Sequence, residues 1–230
     1  MSSSPGSPAL YENLLASGMN ENAAQILVAA LHLFAEKGYA ATSVREIVSD
    51  ADMTNPMLYY YFESKKGVFL ALMNFLMDSM QTQIEETLDQ NLPFRRRLRG
   101  VIQAHFEACR DAPEVLRFIY SVFVGPRLSR PDYDVAAAYE WIHEMVEGEF
   151  AQAIASGEFQ PARDREPTFL MERFMGMLNN ELMTVLTIYN QAASQAEVDG
   201  ALDELLSDER LDDLLDFFFG GAGTAVGEER

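Results

Sequence analysis

The sequence predicts an all-α fold, and three observations carry that prediction. Apolar residues recur with the 3.6-residue period of a helix, as at Ile26, Ala30, Leu33 and Phe34. Capping residues and glycine or proline stops bracket the periodic stretches. The alternation of half-buried strands joined by Gly-rich hairpin turns is missing. With 230 residues, 48% of them apolar, the chain is long enough for one or two domains and a sizeable core.

The elements follow in order. Residues 1–7 read as a tail, and Ser7 before Pro8 pairs an N-cap with a proline at the first helical position, so a short helix is expected over 8–17. A longer helix spans 20–37 and stops at Gly38. Ser43 with Glu46 three residues on has capping-box spacing and opens a short helix over 43–50. Ala51, Asp52 and Met53 form a tight turn. Thr54 then caps a helix running to about Tyr61, with Pro56 tolerated in its first turn. Ser64 caps a long helix carried by Val68, Leu72, Phe75, Leu76 and Met80, which fades near Asn91 and Pro93.

Further helices are expected over 94–110, from Pro113 to the Gly125-Pro126 stop, over 131–156 and over 166–190. Leu202, Leu205 and Leu206 lead into a last helix that starts at Asp208, with Gly220, Gly221 and Gly223 ending it. The divisions expected are an N-terminal segment 1–19, a three-helix domain 20–67, a larger helical domain 68–221 and a flexible acidic tail 222–230.

Composition narrows the function. The net charge is −19, and one cysteine, Cys109, excludes an intramolecular disulfide framework. No apolar run approaches the roughly 20 residues needed to span a bilayer, and the first 19 residues carry no Lys or Arg of a signal peptide. A cytoplasmic protein with no membrane partner is expected. His32, His105 and His143 are scattered outside any metal or catalytic spacing, and no phosphate-cradling glycine loop is present, so neither enzyme activity, nor a metal, nor a cofactor is expected. Charge is unevenly spread: residues 91–130 hold eight arginines against three acids, with Arg95, Arg96, Arg97 and Arg99 clustered. That cluster reads as a solvated helix start pairing with nearby acids such as Glu85, Glu86 and Asp89.

Three short helices with a tight turn between the second and third have the spacing of a helix-turn-helix, whose last helix enters the major groove. The residues Ile26-Leu27, Ala30, Leu33-Phe34, Gly38-Tyr39 and Thr42-Ser43-Val44-Arg45-Glu46-Ile47, followed by Leu58-Tyr59-Tyr60-Tyr61-Phe62-Glu63-Ser64-Lys65-Lys66, resemble the DNA-binding domain of TetR-family transcriptional regulators. The likeness covers about residues 22–72, and beyond them it extends only to architecture. It implies a homodimer that binds a palindromic double-stranded operator, most often as a repressor, and leaves it when a small-molecule effector occupies the C-terminal domain. By resemblance the DNA contacts fall on Thr42, Ser43, Arg45, Thr54, Asn55, Met57, Tyr59, Tyr60 and Lys65.

The chain departs from the family where glycine is usual in the turn and Asp52 stands instead; aspartate tolerates a left-handed backbone better than most residues. Residues 21–75 sum to −2, so few phosphates would be neutralised and the salt dependence of binding should be shallow. A helical interaction protein of the same fold that has lost DNA binding is the alternative. Phe106, Tyr120, Phe123, Tyr139, Trp141, Phe174, Met177 and Glu181 are candidate effector-binding residues; for the bulky ones plain core packing is the favoured alternative, and for Glu181 the alternative is a hydrogen bond at an interface. Met171, Phe174, Leu178, Leu182, Leu214 and Phe218 are candidate dimer-interface residues on the late helices.

Overall fold

A computed structural model of the chain describes residues 8–89, 91–192 and 195–225. Among them are eleven α-helices: α1 (Pro8–Ala16), α2 (Glu21–Lys37), α3 (Val44–Asp50), α4 (Asn55–Phe62), α5 (Lys65–Thr87), α6 (Phe94–Asp111), α7 (Pro113–Phe123), α8 (Val135–Ser156), α9 (Pro167–Gln191), α10 (Gln195–Leu205) and α11 (Asp208–Ala222). One small antiparallel sheet pairs β1 (Phe159–Pro161) with β2 (Gly223–Ala225), Phe159 opposite Ala225. No helix among the described residues is long and apolar enough to cross a membrane.

The sheet corrects one expectation. Residues 223–225, read from sequence as part of a flexible tail, form β2. A three-residue strand is too short to show alternation, so nothing in its sequence announces it. Residues 1–7 and 226–230, the remaining tail segments, lie outside the described residues.

The chain forms two compact units. The first comprises the described residues up to Ser79 together with Asp111–Val135, and the second comprises Met80–Arg110 and the described residues from Ala136. The first unit therefore holds α1–α4, most of α5 and, from a later stretch of chain, α7.

In the first unit α2 is the hub. Ile26, Leu27, Ala30, Leu31 and Phe34 are fully buried, so the helix is covered nearly all round. Asn20 caps its start by accepting the Asn22 N–H at 3.0 Å. At its end Gly38 adopts φ 83° and donates its N–H to the Phe34 carbonyl, a backbone that glycine enters without a Cβ penalty. Leu10 and Leu14 of α1 bury against this core. Phe118 of α7 stacks on Phe34 with centroids 5.8 Å apart and meets Phe69 of α5 edge-on at 5.6 Å.

The second unit is built around another aromatic core. Phe94, Phe150, Phe159, Phe174, Phe218 and Phe219 are buried and meet through tilted and edge-to-face contacts of 5.2–6.2 Å, geometries that favour aromatic pairs beyond the area they bury. Three arginines of the α6 cluster pair here with acids far along the sequence, which the expectation of nearby partners did not include. Arg95 reaches Asp216 at 2.7 Å, and Arg99 reaches Asp208 at 2.7 Å and Asp212 at 3.0 Å. The three aspartates are four residues apart, one turn each, and so share a face of α11. Arg97 is buried and bridges Glu149 of α8 and Glu158.

Candidate nucleic-acid interface

The geometry of α3 and α4 is set by local chemistry. At the start of α3, Ser43 accepts the Glu46 N–H at 3.3 Å while the Glu46 carboxylate takes the Ser43 N–H at 2.8 Å, completing the capping box. The same carboxylate takes a short bond from Lys37. Those three bonds, from Lys37, the Ser43 hydroxyl and the Ser43 amide, hold the Glu46 carboxyl at about 2, below its ordinary 4.5. A depressed carboxylate stabilises the fold above the unfolded value and loses that contribution as pH falls towards the folded one. As pH falls from 5 to 2, the protection factors of the Val44–Ile47 amides should therefore fall, and Glu46→Gln should flatten that pH dependence. An unchanged profile in the variant would remove Glu46 as the cause.

Ala51–Thr54 make the turn into α4. Asp52 takes φ 53°, the left-handed conformation expected where glycine is usual, and the Met53 N–H bonds the Val48 carbonyl at 2.7 Å. A second left-handed residue, Glu63 at φ 63°, ends α4; its side chain gave no sequence signal for that role. Leu58 is the one buried side chain of α4. Opposite it, Thr54, Asn55, Tyr59 and Tyr60 are exposed, the two tyrosines by 50% and 82%, while Met57 is half-buried.

The other positions proposed for DNA contact divide into two groups. Arg45 projects from α3 into solvent and, with Lys66, carries no ion pair among the described residues. Thr42, Ser43 and Lys65 are engaged internally. The Thr42 hydroxyl lies 2.9 Å from the Gly38 carbonyl and 3.3 Å from that of Leu33. Lys65 donates to the carbonyls of Tyr39 at 2.8 Å and Thr42 at 2.6 Å, and its ammonium sits 4.1 Å from the centre of the Tyr39 ring. Burial pushes the Lys65 ammonium pKa down, against the raising effect of nearby Glu46. Two of its three N–H groups are thus committed to closing the loop between α2 and α3, leaving one for a phosphate.

The candidate effector residues fall in both units. Tyr120 and Phe123 lie on α7 in the first unit. In the second unit Phe106 and Phe174 are packed into the core and Trp141 is half-buried, while the side chain of Tyr139 lies outside the described residues. Met177 and Glu181 come together, lining a cleft of about 510 Å³ with Asn180, Arg210, Asp213, Leu214 and Phe217. The buried Glu181 carboxylate is already held there by Arg210, through contacts of 3.1–3.3 Å.

The six candidate interface residues, Met171, Phe174, Leu178, Leu182, Leu214 and Phe218, are all buried within the single chain. Their periodicity reports the protomer's own core. The exposed apolar side chains of the same helices are Phe169 and Met183 on α9 and Phe217 on α11, the last by 80%.

Residues 26–72 match the family model described as "Bacterial regulatory proteins, tetR family". The chain is 30% identical over 101 residues to the HTH-type transcriptional activator FasR of Mycolicibacterium smegmatis, covering 44% of this chain and 46% of that protein. It is 31% identical over 94 residues to the HTH-type transcriptional repressor KstR2 of Mycobacterium tuberculosis, covering 41% and 47%. Each match thus spans about half the length of the curated relative. Among solved structures, the transcriptional regulator FadR from Bacillus subtilis, in complex with stearoyl-CoA, superposes with a TM-score of 0.66 at 17% identity, over 86% of this chain and 97% of that one. That likeness reaches the helical architecture beyond the matched residues. The match of residues 26–72 and these relatives identify that segment as a domain of the tetR family of bacterial regulatory proteins, and the solved structure shares the fold of the chain beyond it.

Proposed function

We propose that the chain is a dimeric transcriptional repressor that grips duplex DNA with α3 and α4 and releases it when a small molecule binds the second unit. The observation that carries the reading is the outer face of α4. Two tyrosines and an asparagine stand exposed on a short helix, beside an arginine with no acidic partner among the described residues. Asn55 suits an adenine edge, Arg45 suits guanine or phosphate, and the tyrosine hydroxyls suit phosphate oxygens.

Association through the exposed apolar residues of α9 and α11 would give the two reading heads that a palindrome requires. Their recognition helices must sit about 34–36 Å apart to enter successive major grooves. Phe217 and Met183 are the anchors proposed for that surface. The cleft beside Met177 and Glu181 shares Phe217, so a second copy would close it from water. Effector binding would act by favouring a dimer whose heads no longer match that spacing, and a modest differential affinity suffices if the two states are close in free energy.

Anisotropy against duplexes flanking the gene, with scrambled DNA as control, tests the DNA reading. Arg45 and Lys66 from two subunits would neutralise about four phosphates, giving a log–log salt slope near −4, far shallower than that of binders making many phosphate contacts. Arg45→Ala and Lys66→Ala should each flatten it by about two. Binding no tighter than to scrambled DNA, at low salt and across other duplexes, would favour the helical interaction protein. A promoter reporter sets the sign of regulation: output that falls when the gene is deleted would make the protein an activator.

A further inference from the structure

The α4 helix is too short to hold itself. It has eight residues, no side-chain cap at Thr54 and a single buried anchor, Leu58; isolated helices of this length are not stable in water. Within α4, Leu58 is joined in the core only by the half-buried Tyr61 and Phe62, and such apolar packing sets no angle by itself, because hydrophobic attraction has no direction. Hydrogen bonds do have direction, and α4 makes a pair of them to a distant element through Tyr61. Its hydroxyl donates to Asn20 Oδ1 at 2.9 Å and accepts from Asn22 Nδ2 at 3.4 Å. Asn20 is itself the N-cap of α2, so one oxygen receives both the Asn22 backbone N–H and the tyrosine proton. The Tyr61 ring, half-buried, meets the ring of Tyr60 edge-on with centroids 5.0 Å apart.

We infer that Tyr61 is a positioning residue for the DNA-reading face: its bonds to Asn20 and Asn22 at the start of α2 fix the angle of α4, and its ring holds the exposed Tyr60 in place. The inference rests on the DNA-binding reading for its functional half and on geometry alone for its structural half. Tyr61 touches α2 and its helical neighbour, and the residues it positions meet the DNA. A sequence-selective contact is sensitive to that angle, whereas non-specific attraction to the phosphate backbone is not.

The test uses the full chain and a duplex enriched from a random library by the unaltered protein. Tyr61→Phe removes the hydroxyl and keeps the ring. Asn20→Ser keeps an oxygen to cap α2 and is too short to reach Tyr61. Each variant should bind the selected duplex about three- to tenfold more weakly, the loss of one hydrogen bond, with affinity for scrambled DNA unchanged. The double variant should be no weaker than either single one, because both substitutions break the same bond. Hydrogen exchange at the Leu58–Phe62 amides, read without DNA, should quicken in both single variants while the melting temperature stays close to that of the unaltered chain.

Equal losses on selected and scrambled DNA, or losses that add in the double variant, would overturn the positioning role. Unchanged exchange across α4 would overturn the clamp itself. If the unaltered chain enriches no duplex, the DNA reading and the functional half of the inference fall together, and exchange alone then decides whether Tyr61 clamps α4.

Discussion

Replacing Arg97 with methionine is expected to destabilise the second unit by about 3–5 kcal/mol, the cost of removing one partner from a buried ion pair. The guanidinium is 1% exposed and each of its nitrogens donates: Nε to Glu149 at 2.7 Å, Nη2 to Glu158 at 3.1 Å, and Nη1 to the Leu92 carbonyl. Methionine matches much of its volume and carries none of its donors. The Glu149 carboxylate, only 8% exposed, would then lose the guanidinium that neutralises it at 2.7 Å. Glu158 is 31% exposed and also takes the Phe94 N–H, so it would retain a partner.

Urea denaturation followed by Trp141, the single tryptophan, reports on α8, the helix that carries Glu149. The double variant Arg97→Met/Glu149→Leu should recover most of the loss, since apolar replacements of buried pairs are often neutral. A single-variant loss below about 1 kcal/mol would place the pair with ordinary surface bridges.

That network also marks where the sequence stopped being legible. Several helix boundaries that depend on neighbours along the chain were readable, although Glu63 at the end of α4 was not. The Ser43–Glu46 capping box formed as its spacing predicts, Gly38 ended α2, and Asp52 took the left-handed turn. Partners across the fold were not readable. The arginine run announced that it would be paired, but Asp216 lies 121 residues from Arg95 and no local rule selects it over Glu85. Tyr61 stands 41 residues from Asn20, and its hydroxyl looks in sequence like those of its two neighbours. Lys65 shows a charge at a helix start, and only the fold reveals that loop carbonyls occupy it.

The late helices show a related limit. A stripe such as Met171, Phe174, Leu178 and Leu182 demonstrates that one face must leave water, without saying whether the same chain or a second copy covers it. Here the same chain covers it. The residues proposed to meet a second copy, Phe217 and Met183, are exposed and lie outside the stripe, where periodicity alone would discount them.

Truncating Phe118 to alanine is expected to cost about 3–5 kcal/mol in the first unit, the usual range for a phenylalanine lost from a core. The size of that effect follows from where α7 belongs. A boundary at residue 67, natural from the sequence, assigns α7 to the later domain, yet Asp111–Val135 is part of the unit that contains α2. Phe118 is 1% exposed between Phe34 and Phe69. Without it the helix that braces α3 and α4 loses an aromatic wall, and the void is bordered by rings that cannot easily collapse into it. Phe118→Leu should cost markedly less, since most of the volume remains. Native-state exchange of the Ile26–Phe34 amides reads the effect where it acts. Faster exchange there would show that α7 is structurally part of the reading head, so that any displacement of α7 is transmitted to α2 by packing. Undiminished protection would mean that α1, α2 and α5 suffice, and that α7 is carried by the unit without supporting it.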